Sequence, residues 1–238
     1  MPGQRLRVLY FLLLVSGSLV LPGSARAQLT DKPFQKWTAK EAEGLLIDSP
    51  WAQTRAGLVA AGWWDPLIEA NNTAVTLSLR SALPVRQALA RLRQLKNKYD
   101  KKSDSEKAAI DARNKPLLEC SECADYYMVA MSPGPGSETG LPANLQRTSV
   151  AWLKLNVQIR NEKGESRELV KFVNPKSVQD DAVFYFSRFD SKGEPLIGPA
   201  NRTVTISFDP RIFLWKKATL TKFDFDVAKM IVNGQVVF

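Results

Sequence analysis

Hydrophobic and polar positions repeat with a helical period in the first half of the chain and with a period of two in the second half. Residues 38–48 predict a helix, in which Thr38 and Glu41 have the spacing of a capping box. Residues 75–79 alternate between apolar and polar side chains, which is typical of a half-buried strand. The first half therefore combines helices with strands.

A longer helix is predicted for residues 84–98. Pro84 suits a first helical position, and Ser81 is placed to cap the helix. The apolar residues recur at helical spacing and predict one buried face: Val85, Ala88, Leu89, Leu92, Leu95 and Tyr99. A polar helix over 103–115 and a buried strand over 125–132 follow.

Beyond a stretch rich in proline and glycine, strands dominate the pattern. Residues 153–159 alternate, residues 161–164 form a turn, and residues 168–173 return, which together predict a β-hairpin. Further strands are predicted over 182–189, 203–208 and 219–225, and Asn233-Gly234 reads as another tight turn.

These elements predict an α+β fold. The N-terminal portion, 28–132, holds helices with strands, and 145–238 is an antiparallel β-rich portion that is compatible with a sandwich. Residues 133–144 are a linker or a loop by composition and mark the best candidate boundary. The pattern leaves open whether the chain forms one domain or two.

Residues 1–27 have the pattern of a secretory signal peptide. Arg5 and Arg7 precede a mostly apolar run over 8–21, and Ala25 and Ala27 supply a small-x-small cleavage site. The run is short for a membrane span, and no later stretch reaches that length. We expect a soluble secreted or periplasmic protein that begins at Gln28, with no transmembrane anchor in its mature form.

Charge and composition favour some kinds of partner and exclude some kinds of catalysis. The formal charge is +9, and the three arginines within 1–27 leave +6 for the remainder, which favours anionic partners. The chain has no histidine, which excludes Ser-His-Asp and Cys-His catalysis and any histidine-ligated metal. Neither a catalytic residue nor a cofactor is assigned.

Two cysteines are the only candidates for redox chemistry. Cys120 and Cys123 are separated by two residues, and in an oxidising compartment we expect a small structural disulfide between them. A redox role is disfavoured because the pair precedes a predicted strand, whereas redox pairs open a helix. Two thiols without histidine make half a zinc site, so no metal is predicted.

The helix over 84–98 also carries most of a local basic excess. A solvated helix face is the simplest interpretation. If that face is functional, it binds an anionic envelope polymer, a lipid surface or a glycan through Arg86, Arg91, Arg93, Lys96 and Lys98. Nucleic acid is not expected, because Tyr99 alone supplies an interleaved aromatic ring and the chain is exported.

Six tryptophans raise the alternative of an aromatic binding platform. Most tryptophans are buried, so core packing is the default interpretation for each of them. Trp63 and Trp64, flanked by Gly62 and Pro66, lie in the context least like a helix or strand, and they are the predicted exposed pair.

Four short segments, read together, resemble a group of bacterial exported proteins that has no assigned activity. They are KPFQKW at 32–37, SPWA at 49–52, RSALPVRQA at 80–88 and YYMVA at 126–130. The resemblance implies a bacterial exported protein and supplies no catalytic residue.

Function is therefore expected to lie in binding or in envelope structure. The first alternative is a hydrolase or transferase that uses carboxylates, for which a cleft with two facing carboxylates would be the sign. The second is a thiol-disulfide protein, for which an exposed cysteine at a helix start would be the sign.

Overall fold

The computed structural model describes residues 32–55, 74–138, 140–213, 221–232 and 234–237. The predicted signal peptide and the Trp63-Trp64 pair lie outside these residues. The helices are α1 (Ala39–Ile47), α2 (Leu83–Lys96), α3 (Asp104–Glu119) and α4 (Val150–Asn156). The strands of the first part are β1 (Ala52–Arg55), β2 (Val75–Leu79) and β3 (Tyr126–Pro133).

The second part contributes the remaining strands. They are β4 (Val157–Asn161), β5 (Ser166–Arg167), β6 (Leu169–Val173), β7 (Ala182–Ser187), β8 (Thr203–Phe208), β9 (Thr221–Asp226), β10 (Ile231–Val232) and β11 (Gln235–Val236). The predicted α+β class, with a β-rich C-terminal portion, is confirmed.

Antiparallel pairing builds two larger sheets. The first has five strands in the order β1-β2-β3-β7-β6, and the second has four in the order β5-β4-β8-β9. The strands β10 and β11 form a separate pair across the predicted turn at Gly234.

The two sheets pack face to face through aromatic side chains. Pairing places Leu79, Val129 and Phe184 on one face of the five-stranded sheet. The ring of Phe184 lies 5.5 Å from that of Phe208 in the second sheet, and Phe208 lies 6.0 Å from Phe223. Because all of these residues are buried, the main core lies between the sheets.

Helices cover the opposite face of the five-stranded sheet. The capping box predicted for α1 is present, with the Glu41 amide donating to Thr38 and the Thr38 amide donating to Glu41. The predicted polar helix is α3, which begins with an equivalent box at Ser103. The helical layer covers one face of β2, and the second sheet covers the other face. The strand β2 is therefore buried along its whole length, and the prediction of a half-buried strand is wrong.

Two predicted boundaries in the C-terminal portion are wrong. Residues 150–156 are helical, because Ser149 caps α4 by accepting a hydrogen bond from the amide of Trp152. The alternating pattern begins only at Val157, and Leu155 is 81% exposed. The predicted hairpin is correspondingly short, because the returning chain pairs with β4 only at Ser166 and Arg167.

After that short pairing the chain changes sheets. The return predicted over 168–173 corresponds to β6, which joins the first sheet by pairing with β7 and does not pair with β4. Of the predicted linker over 133–144, residue 133 belongs to β3, and residues 143 and 144 belong to a short 3₁₀ helix at Ala143–Gln146. Since β3 also pairs with β7, one sheet contains strands from both sides of this stretch, which is a loop within a shared structure.

Within the described ranges, no helix combines the length and apolar character needed to cross a membrane.

Candidate functional site

A pocket of about 200 Å³ lies between the helical layer and the five-stranded sheet. We call it the Arg86 pocket. Arg80 and Arg86 form one wall, and the Cys120 turn at the end of α3 forms another. Met128 and Tyr185 face it from β3 and β7.

The order of elements explains how these side chains meet. The strand β2 runs almost directly into α2, so Arg80 follows the strand and Arg86 lies in the first turns of the helix. Met128 and Tyr185 are direct cross-strand neighbours and therefore point to the same face of the sheet. That face is the one turned away from the aromatic core between the sheets.

Arg86 is the most unusual residue of the pocket. It is only 8% exposed, and its Nη1 donates a hydrogen bond to the carbonyl of Leu118. Its Nε is buried and has no hydrogen-bond partner among the described residues, and no described carboxylate forms an ion pair with it. Desolvation by burial lowers the pKa of Arg86 below its ordinary value, although an arginine remains charged at neutral pH.

Arg80 adds a second partly satisfied guanidinium. Its Nη2 pairs with Asp181, which also accepts a hydrogen bond of 2.6 Å from the hydroxyl of Ser132. The Nε of Arg80 is buried and, like that of Arg86, has no partner among the described residues. Two donors therefore remain unused on the arginines that line one pocket.

The acidic side chain that lines this pocket, Glu122, is paired with other residues. Glu122 accepts a hydrogen bond of 2.7 Å from Lys171 and another of 3.3 Å from the hydroxyl of Tyr185. The Lys171 ammonium stabilises the carboxylate and lowers the pKa of Glu122. Glu122 therefore does not neutralise Arg86, which keeps its positive charge, whereas Arg80 is paired with Asp181.

Cys120 and Cys123 are joined by a disulfide, as the sequence predicts, with their Cα atoms 5.4 Å apart. Cys120 is the C-cap of α3 and has a positive φ of 45°, so the bond closes the turn that leads into β3. The α-helix α3 ends at Cys120, and only a four-residue 3₁₀ turn, Ser121–Ala124, follows it. Because the negative end of a helix dipole disfavours a thiolate, this position does not suit a thiol-exchange catalyst.

The predicted basic face of the long helix is only partly exposed. Arg86 and Arg91 are buried, because α1, α3 and the sheet surround α2 on several sides. Arg91 donates to the carbonyl of Trp37 at 2.7 Å and to Asp100 at 2.9 Å. The surface therefore presents only Arg93, Lys96 and Lys98 of the predicted set.

One further expectation about this helix needs correction, and the tryptophan prediction is tested only in part. Ser81 does not cap α2: the N-cap is Ala82, and the Ser81 hydroxyl accepts a hydrogen bond from the amide of Met128. The predicted aromatic platform lies outside the described residues, whereas Trp37 and Trp51 are buried in the core, as expected by default.

A second cleft, of about 390 Å³, is relevant to the alternative of a hydrolase or transferase that uses carboxylates. It lies beside β1 and β9, and Asp48, Asp224 and Asp226 line it. Asp224 accepts a hydrogen bond of 2.6 Å from Thr205, and Lys229 lowers the pKa of Asp226. The lowered pKa keeps Asp226 ionised, so this carboxylate lacks the proton that a general acid must donate.

Comparisons with family models, with curated proteins and with solved structures give no match to this chain. Within the described residues, no three His, Cys, Asp or Glu side chains are grouped as a metal site. The choice of the Arg86 pocket as the candidate site therefore rests on its geometry alone. Sequence reasoning identified Arg86 and Cys120 separately and missed Arg80, Met128 and the pocket that joins them.

Proposed function

We propose that this chain is an exported binding protein and that it holds a small organic carboxylate in the Arg86 pocket. The observation that carries the proposal is the buried guanidinium of Arg86, which has an unused Nε and no carboxylate partner among the described residues. A charge removed from water without an opposite charge destabilises a folded protein by several kcal/mol. A bound anion would supply the missing charge.

The chemistry of the wall favours a carboxylate. A guanidinium edge that carries Nε and one Nη forms two parallel hydrogen bonds to a carboxylate, and these are among the strongest in proteins. The Nη1 of Arg86 is already used by Leu118, which leaves the edge containing Nε for the ligand. Because protein atoms cover this Nε, ligand binding at that edge requires the covering side chains to move. Arg80 lines the same pocket and offers its own buried Nε as a further donor.

The remaining walls favour a ligand with an apolar body. Pro116, Leu117 and Val183 also line the pocket, beside the thioether of Met128. The volume of about 200 Å³ equals that of several water molecules, each of which occupies ~30 Å³ in the liquid. This space suits a short-chain or single-ring organic acid.

Export supports an envelope role. The pattern of residues 1–27 predicts cleavage after Ala27, and four segments resemble bacterial exported proteins. A protein that leaves the cytoplasm and has a small anion pocket fits the capture of organic acids in the envelope.

Hexanoate is a suitable probe, and hexanol is its matched uncharged control. We expect hexanoate, titrated by calorimetry into exported oxidised protein, to bind measurably at low salt, while hexanol does not. The intact mass of the same preparation should correspond to a chain that begins at Gln28. Arg86→Met should weaken hexanoate binding at least about tenfold, because a charge-assisted hydrogen bond contributes ~1.5–3 kcal/mol.

Arg93→Met is the control variant, because Arg93 lies on the same helix but is exposed. It should bind hexanoate as the wild type does. Equal binding by the Arg86→Met variant, in a protein whose circular dichroism is unchanged, would show that the pocket is not the anion site. Equal binding of hexanol would show that charge is not recognised.

A further inference from the structure

Three sulfur atoms meet at the edge of the Arg86 pocket. The Sδ of Met128 lies 3.7 Å from the Sγ of Cys120 and 3.8 Å from the Sγ of Cys123. We call these three residues the sulfur cluster. Cys123 is 7% exposed, whereas Cys120 and Met128 are half-buried and line the open pocket.

The backbone holds this arrangement from both sides. The amide of Cys123 donates to the carbonyl of Cys120 at 2.9 Å, which closes the turn after α3. Met128 lies on β3, where its amide donates to the hydroxyl of Ser81 at 3.3 Å. The thioether is therefore fixed above the cysteines by the sheet and not only by side-chain packing.

These distances match three ligands around one metal ion. Metal–sulfur bonds of about 2.3 Å in a trigonal plane place the sulfur atoms about 4 Å from one another. The two distances from Met128 are already close to this value. Only the bonded pair, Cys120 and Cys123, must separate, and breaking the disulfide permits that.

The donor set selects the metal. Thiolate and thioether sulfur atoms are soft ligands that favour Cu(I), which accepts three-coordinate sites. Structural zinc takes four ligands, usually thiolate and imidazole. The chain has no histidine, and no other described His, Cys, Asp or Glu completes a three-residue group here. The third ligand is the thioether of Met128.

The charges around the cluster also suit copper. A Cu(I) ion bound by two thiolates and one thioether carries a net charge of −1. Arg86, which has no carboxylate partner among the described residues and lines the pocket beside the cluster, can balance that charge. The bound cation in turn offsets the penalty that the end of α3 imposes on free thiolates.

We propose that reduction of the Cys120–Cys123 disulfide creates a Cu(I) site formed by Cys120, Cys123 and Met128. Two electrons and two protons from a dithiol reductant convert the disulfide into two thiols, and the reductant becomes a disulfide. Binding of Cu(I) then releases the two thiol protons and forms two copper–thiolate bonds. Cu(I) binding is assigned to the reduced protein, whereas organic acid binding is assigned to the oxidised protein.

The test uses Cu(I) supplied anaerobically as its bicinchoninate complex, whose colour is lost when a protein removes the metal. Protein reduced with a phosphine and then desalted should take up one Cu(I) per chain, and oxidised protein should take up none. Met128→Leu should lower the Cu(I) affinity at least about tenfold, since even second-shell changes at metal sites have effects of that size. Met131→Leu should leave the affinity unchanged.

Met131 is a matched control because it lies on the same strand and faces the core between the sheets. X-ray absorption of the wild-type complex should show three sulfur neighbours around copper, and this measurement needs no variant. Two sulfur neighbours, or equal affinities for the wild type and the Met128→Leu variant, would overturn the three-sulfur site. Undiminished Cu(I) binding by the Cys120→Ser, Cys123→Ser double variant would also overturn it.

Discussion

Arg86 and Arg91 show how one residue type takes two roles within two turns of a helix. Both are buried, at 8% and 4% exposed. Arg91 has a carboxylate partner, Asp100, and a carbonyl partner, Trp37, so its donors are used inside the protein. Arg86 has a carbonyl partner and an unused Nε. Arg91 therefore has a structural role, whereas the unused donor of Arg86 is what the proposed function relies on.

Glu41 gives a prediction about acid stability. Its hydrogen bonds with Lys32 and Thr38 lower its pKa from 4.5 to about 2 in the folded protein. A carboxyl group whose pKa is lower in the folded state stabilises the fold above its unfolded pKa and loses that contribution on protonation. The free energy of unfolding should therefore fall as the pH drops from about 4.5 to about 2.

Chemical denaturation at several pH values measures this dependence. Glu41→Gln should flatten the fall in that range, because glutamine does not titrate. Glu43→Gln, on the same helix but outside the capping box, should leave the slope as in the wild type. An unchanged slope in the Glu41→Gln variant would show that this carboxylate does not contribute.

The elements owe their positions to neighbours on more than one side. The helix α2 contacts α1 and α3, and for this reason it buries Ala90 and Gln94, outside the predicted apolar face. The loop over 133–144 is held in a similar way. Its Leu141 amide donates to the carbonyl of Val178 at 2.6 Å, and Gly140, beside it, has a φ of +70°.

Gly140→Ala should therefore destabilise the protein more than Gly164→Ala. Both glycines have positive φ, so each substitution carries a backbone penalty of about 1 kcal/mol. A Cβ at Gly140 would also collide with the carbonyl of Val178, whereas a Cβ at Gly164 meets nothing within 4 Å. We expect a loss of more than about 2 kcal/mol for Gly140→Ala in urea unfolding. Equal losses for the two variants would contradict the predicted contact.

The molecule as a whole has three layers: helices, the five-stranded sheet and the four-stranded sheet. The central layer takes strands from both halves of the sequence, and one buried cluster extends from α1 to β9. Phe184 lies at its middle, in contact with Phe172 on its own sheet and with Phe208 on the other.

This shared core predicts a single cooperative unfolding transition. Far-UV and near-UV circular dichroism should give coincident urea curves, which is the behaviour of a two-state protein. Phe184→Ala should lower the free energy of unfolding by about 3–5 kcal/mol. Val173→Ala, at a position 42% exposed on β6, should change it by about 0.5 kcal/mol or less. Two separate transitions would indicate independent halves.

Local signals in the sequence were sufficient to predict much of the secondary structure. The capping box at Thr38 and the alternation over 203–208 depend on residues a few positions apart, and both appear as predicted. The disulfide between Cys120 and Cys123 is local in the same sense. The exception is α4, where the serine cap at 149 overrides an apparent alternation at 153 and 155.

The Arg86 pocket required contacts between distant parts of the chain. Hydrophobic periodicity predicted a solvated position for Arg86, because periodicity assumes that a helix packs against one neighbour. The helix α2 instead packs against several elements. Pairing of β3 with β7 brings Met128 beside Tyr185, and the end of α3 brings the cysteines to them. The sequence by itself determined most of the elements and the cap at Thr38, since these depend on short-range hydrogen bonds and side-chain period, but it did not determine α4 or the cap of α2. Packing determined which charges are buried and which sulfur atoms meet, since burial depends on every element that covers a residue.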